Sequence, residues 1–222
     1  MTGVRARVRA ELTEEIKAVA RRHLATHGAA ALSLRAVARD VGMVSSAIYR
    51  YFASRDELLT ALIVEAYDAV GEAAERADAG CRPDDLAGRW SAVTRAVRGW
   101  AVANPQQYAL VYGSPVPGYA APQDTVDPAA RVSLVLLRLL ADADLPDDGR
   151  VVSASVHDDF ERLRALAPGV PDGVLSRGVL AWTGMFGHIS YELFGHLHRV
   201  IEDYDAFFDL QMGRMGEYVF NP

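Results

Sequence analysis

Apolar residues recur at three- and four-residue spacing through nearly the whole chain, and that period predicts helices. Ile16, Val19, Ala20 and Leu24 share one face of a first helix, expected to run from a Thr13 cap to about His27 and to stop at Gly28. Ser33 is expected to cap a second helix, whose apolar stripe is Leu34, Val37, Ala38 and Val41. Gly42 supplies the positive φ for a tight turn into a third helix, roughly Ser45 to Tyr51. Ser54 and Glu57 have capping-box spacing and open a long fourth helix, Arg55 to about Ala79. After Pro83 further helices are expected at about 84–103, from a cap at Asn104 with Pro105 in the first turn, and at about 129–143, 149–166, 172–200 and 203–220. Residues 113–128 read as a Pro/Gly-rich loop, and no run alternates as a strand does. The fold class is therefore all-α. A three-helix helix-turn-helix domain is expected in residues 1–60, and a larger helical domain in 61–222.

Charge sharpens that division. The 222 residues carry a net −6, which taken globally argues against a polyanionic partner. Residues 1–60, however, hold ten Lys/Arg against six Asp/Glu, while the rest hold thirteen against twenty-three. The basic surface is concentrated on the helix-turn-helix, and phosphate attraction is local. Cys81 is the one cysteine, so an internal disulfide is excluded and a reducing cytoplasm fits. The N-terminal sequence has no apolar signal-peptide core. Residues 178–197 have the length of a membrane span, but they contain Glu192, His188 and His196 and read better as a buried or interface helix.

The helix pair 34–52 has the pattern of an element that reads double-stranded DNA. Ala38 gives the small crossing residue, and Leu34, Val37, Val41 and Ile48 fix the helix angle as scaffold. The candidate readers are Ser45, Ser46, Ala47 and Tyr49, with Arg50. Ala47 suits a thymine methyl, and the serines suit base edges, phosphates or simple capping. Ser33, Arg35, Tyr51 and Arg55 are placed for phosphates. Arg5, Arg7 and Arg9 precede the first helix as either a DNA-reaching arm or a disordered basic tail.

The stretch GMVSSAIYRYFASRDELLTALI, with LSLRAVARDV before it, resembles the signature of TetR-family transcriptional regulators over about residues 12–62. The small polar residue that opens the recognition helix in that family is Val44 here, and Ser45 is expected to take over its cap. NPQQYALVYGSPVPGY and AWTGMFGHISYELFGH are similar to the C-terminal domain of a branch named for a Trp-His-Gly motif, with Trp182 and Gly187 in place and Phe186 at the His position. The resemblance implies a homodimer, a palindromic operator, repression more often than activation, and an unknown small-molecule effector held in the large domain.

The residues of that domain fit such a role. The 172–200 helix is apolar almost all round, with Gly184, Gly187 and Gly195 to admit a neighbouring helix. The 203–220 helix gathers Tyr204, Phe207, Phe208, Met215, Tyr218 and Val219. Together these two helices are the expected dimer interface. Candidate effector-pocket residues are Trp90, Trp100, Tyr108, Tyr112, His157, Phe160, Trp182, Phe186 and Tyr191, each of a type that serves an ordinary core equally well. His188 and Glu192 share a helix face without a third ligand, and His157-Asp158 is too short a match for a metal phosphohydrolase, so no metal and no cofactor are expected. Neither G-x-S-x-G, H-E-x-x-H, a P-loop nor G-x-G-x-x-G is present, which counts mildly against an enzyme.

Overall fold

The computed structural model describes residues 2–147, 149 and 151–221, and among them there is no strand. The helices are α1 (Thr2–His27), α2 (Leu34–Val41), α3 (Ser45–Ile48), α4 (Arg55–Ala79), α5 (Leu86–Ala103), α6 (Pro105–Tyr112), α7 (Val126–Asp142), α8 (Ala154–Asp159), α9 (Glu161–Leu166), α10 (Asp172–Leu193) and α11 (Tyr204–Phe220). They gather into two compact units: residues up to Tyr67 with Asn104–Pro128, and Asp68–Ala103 with Ala129 onward.

The first unit is built on the stripes read from the sequence. Ile16, Ala20, Val37, Ala38, Ile48, Leu58 and Leu59 are fully buried in one cluster. α6 and the loop after it pack on the same cluster through Leu110, Val111, Val116 and Tyr119. Gly42 takes φ 78°, and the amide of Met43 reaches back to the Ala38 carbonyl at 2.8 Å, so the left-handed residue ends α2 and sets the turn. Across the unit, Lys17 and Arg21 of α1 both pair with Glu65 of α4.

Several expected caps are corrected. α1 begins at residue 2, so Thr13 lies inside it and donates back to the Arg9 carbonyl at 2.9 Å. Ser33 and Asn104 stand at N-cap positions, but their side chains make no capping bond. The capping box is real in part: Ser54 Oγ accepts from the Glu57 amide at 3.1 Å, while the Glu57 carboxylate accepts from Ala53.

In the second unit α11 packs on α5 and α10 through Phe208, Met212, Gly216 and Val219, at helical spacing. Arginines of α5 tie the helices together. Arg89 joins Asp78 and Asp142, Arg95 meets Asp209, and Arg98 takes both Glu192 and Asp205. The segment expected as one helix over 149–166 is two, α8 and α9, with Phe160 between them; Arg150 lies outside the described residues. The 172–200 helix stops at Leu193. Gly195 takes φ 81°, the amide of His196 donates to the Tyr191 carbonyl at 2.8 Å, and the amide of Gly195 donates to the Glu192 carbonyl at 3.2 Å. That pattern closes a helix, so Gly195 is a stop and not a packing notch. Gly184 is such a notch, since a Cβ there would lie 2.7 Å from Met215 Cε, whereas a Cβ at Gly187 would meet no other part of the chain within 4 Å.

Candidate nucleic-acid interface and effector domain

The short helix α3 owes its place to one residue. Ile48 is fully buried, anchoring α3 in the first unit's core, and this turns the opposite face outward. Val44, Ser45, Ser46, Tyr49 and Arg50 are all exposed, with Ala47 half-buried beside them. The expected readers thus share one solvent-facing surface. The helix itself is only Ser45–Ile48, and Tyr49–Tyr51 follow as a turn. The capping expectation is overturned: Val44, at φ −66° and ψ 138°, is the residue before the first turn, and no side chain caps it. Ser45 is helical and its hydroxyl is not committed as an N-cap. Val44 presents its isopropyl group at 71 % exposure.

The residues expected on phosphates divide. Arg35 is exposed and Ser33 half-buried at the start of α2. Arg55 is drawn inward: it donates to the Ala29 carbonyl at 2.9 Å and to Asp56 at 3.0 Å. It therefore holds the link between α1 and α2, and its remaining N–H groups are what it has for a phosphate. His23 of α1 meets Asp40 of α2 at 2.7 Å. That hydrogen bond, with help from Arg39, holds the Asp40 carboxyl below the usual carboxylate range.

The basic N-terminal stretch does not precede the first helix and is not a disordered tail. It continues α1 as helix. Arg5 and Arg7 are exposed on it, Arg7 lying 3.8 Å from Glu11. Arg9 turns back toward the turn after α3: its Nη2 donates to the Arg50 carbonyl at 2.8 Å and its guanidinium lies 5.4 Å from the centre of the Tyr51 ring. Sequence reasoning missed this role for Arg9. The signal was present, since Arg9, Thr13, Ile16 and Ala20 fall on one helix face.

The nine residues expected around an effector fall in both units. Trp90 and Trp182 line one cavity of the second unit. Tyr108 and Tyr112 belong to the first unit, where Tyr108 is fully buried and Tyr112 packs edge-on to Tyr67 at 5.8 Å. Burial, with the neighbouring Tyr67 and Tyr108, pushes the Tyr112 hydroxyl well above its ordinary value. His157 is exposed and bonded to Asp172, which also takes Arg164 at 2.7 Å. Trp100 and Phe160 are half-buried, Phe186 packs edge-on to Trp182 at 6.3 Å, and Tyr191 is exposed against His196. Glu192, paired with His188 in the sequence, is taken by Arg98.

No helix among the described residues is long and apolar enough to cross a membrane. α10 instead leaves Leu180 and Tyr191 more than half exposed on the side away from its buried Ala181, Met185 and Ile189.

A family profile described as "Bacterial regulatory proteins, tetR family" matches residues 16–62, and one described as "Tetracyclin repressor-like, C-terminal domain" matches residues 90–215. The chain is 45 % identical to HTH-type transcriptional regulator Rv1816 of Mycobacterium tuberculosis and to Mb1846 of Mycobacterium bovis, in each case over 94 % of this chain and 92 % of the relative. The crystal structure of the protein SCO4313 superposes with a TM-score of 0.79 at 35 % identity, covering 95 % of this chain and 97 % of that one.

Proposed function

This chain belongs to the TetR family of bacterial regulatory proteins and is a DNA-binding transcriptional regulator, not an enzyme; from that we propose that it is a homodimeric repressor, released from a palindromic operator by a small-molecule effector. The observation that carries the reading is the split of α3 between a fully buried Ile48 and an exposed face of Ser45, Ser46, Tyr49 and Arg50. A helix anchored on one side, with short polar residues on the other, suits the floor of the major groove. In this reading Ser45, Ser46, Ala47 and Tyr49 meet bases. Arg50 stands with them, and Ser33, Arg35, Tyr51 and Arg55 meet or position the phosphate backbone. The reading divides the chain by role into 1–60 for DNA and 61–222 for effector and partner copy, acting in the cytoplasm.

The dimer runs through α10 and α11. Leu180, Tyr191, Phe194 and Leu210 expose large apolar side chains there, and such surface on a regulator favours a partner copy. Phe208 and Val219 are excluded from that face because both are buried within their own unit. Two copies related by a two-fold axis would offer two recognition turns to two half-sites. Effector binding favours a dimer whose half-site spacing no longer fits.

Fluorescence anisotropy on duplexes tiled across the DNA flanking the gene tests this. The expected result is one duplex with inverted symmetry, bound as a dimer and weakened steeply by salt. Equal affinity for every duplex would overturn it.

A further inference from the structure

The second unit holds a cavity of about 220 Å³. Its wall includes Trp90 of α5, Leu136 and Leu140 of α7, Leu166 of α9, Trp182 of α10 and Val219 of α11. No lining residue carries a charge. Trp90, Ser133 and Trp182 are the lining residues with polar side-chain groups, and the donors of the first two are already engaged. The Trp90 indole N–H donates to the Met212 carbonyl at 2.7 Å, and the Ser133 hydroxyl donates to the Ala130 carbonyl at 2.8 Å. Ser133 Oγ keeps a lone pair, so it can accept from a ligand hydroxyl but has no proton left for an anion.

Water fits such a space poorly. At the roughly 30 Å³ that a water occupies in the liquid, the cavity would hold about seven. Each needs at least two polar partners, and the wall is almost entirely carbon. A charged group entering it would lose its hydration with at most the Trp182 indole N–H or the Ser133 lone pair to replace it. An apolar molecule gains on both counts, by leaving water itself and by filling the space. An apolar cavity of roughly 150 Å³ takes up benzene, so this one admits a larger chain or ring system. Trp182 and Leu166 are both lining residues and partly exposed, at 38 % and 60 %, so they carry the wall out to solvent.

We propose that this cavity is the effector site, and that it takes a neutral, mainly hydrocarbon small molecule with at most a hydroxyl-type polar end. The inference rests on the ligand-responsive reading above and narrows it: carboxylates, ammonium compounds and phosphates are outside its range.

The test is calorimetric titration of the purified full-length protein at pH 8 with 1-octanol, octanoate and octylammonium, which share a chain and differ in charge. Octanol is expected to bind at least tenfold more tightly than either ion. Comparable binding of an ion, or no binding of octanol, overturns the inference. Ala130→Leu and Ser133→Leu narrow the cavity from separate points, and each is expected to weaken octanol at least fivefold in a protein with an unchanged helical spectrum. Unchanged affinity in a folded variant would put the binding elsewhere and overturn the assignment. Anisotropy on the bound duplex separates this from the broader reading. Octanol that binds the cavity but leaves DNA affinity untouched overturns the effector role and leaves the cavity's chemistry standing. DNA release by a charged compound alone sustains a ligand-responsive regulator and overturns this site.

Discussion

The Arg9 side chain donates to the backbone carbonyl of Arg50 at 2.8 Å, clamping the N-terminal extension of α1 onto the turn that follows the recognition helix. The guanidinium also lies over the Tyr51 ring. One arginine thus fixes the direction of the turn whose residues are proposed to meet DNA, at little cost to the core. Arg9→Ala is expected to weaken operator binding about fivefold to tenfold, on the scale of one exposed charge-assisted bond. Thermal stability should stay nearly unchanged, because both partners lie on the surface. Parallel anisotropy and melting curves check this, and an unchanged affinity would contradict the clamp.

Neighbouring residues 48 and 49 should fail in opposite ways. Ile48 is fully buried and Tyr49 is 47 % exposed. Ile48→Ala is expected to destabilise the protein by about 2–4 kcal/mol through cavity formation. Tyr49→Ala should leave stability within about 0.5 kcal/mol and weaken operator binding by about 1–3 kcal/mol. Denaturant titration paired with anisotropy separates the two; a Tyr49 variant that unfolds easily but binds normally would reverse the assignment.

Arg89 is a structural cation. It is 6 % exposed and satisfies Asp78 through two bonds, Asp142 through one and the Pro83 carbonyl through another. Removing it strands the Asp78 carboxylate in a poorly hydrated place. Arg89→Ala should cost about 3 kcal/mol of stability, while the paired change Arg89→Met with Asp78→Leu should recover most of it. A single variant as stable as the parent protein would refute the role.

The His188 ring packs between Phe207 and Phe208, with centroids 5.4 and 5.3 Å away. Burial pushes its pKa below the ordinary histidine value; Glu192 opposes that shift and Arg98 adds to it. A lowered folded pKa means that the unfolded chain binds the proton more readily. The stabilisation is therefore complete above about pH 6.5 and is lost as the pH falls through the folded value. Melting curves from pH 7.5 to 5 should show a falling midpoint that flattens in His188→Gln. Equal slopes in the two proteins would rule His188 out as the source.

Some of this was legible in the sequence for plain physical reasons. Leu34, Val37, Ala38 and Ile48 are apolar at helical spacing because they must be buried, and Gly42 stands where only a left-handed residue closes the turn. Other features carry no such mark. Arg9 reads as one more charge in a basic stretch until the fold brings Arg50 to it. Tyr108 and Trp90 look alike as pocket candidates, yet Tyr108 is core in one unit and Trp90 lines a cavity in the other, because aromatic residues serve both purposes. Gly195 among apolar neighbours resembles a packing notch, and only the bond from His196 to Tyr191 reveals it as a stop.

The most direct test of the account is a nuclease footprint on the DNA flanking the gene, made with the parent protein and with Tyr49→Ala. One protected stretch with two symmetric half-sites is expected, lost in the variant at a concentration that saturates the parent. Protection that spreads without sequence preference, or that survives unchanged in Tyr49→Ala, would contradict it.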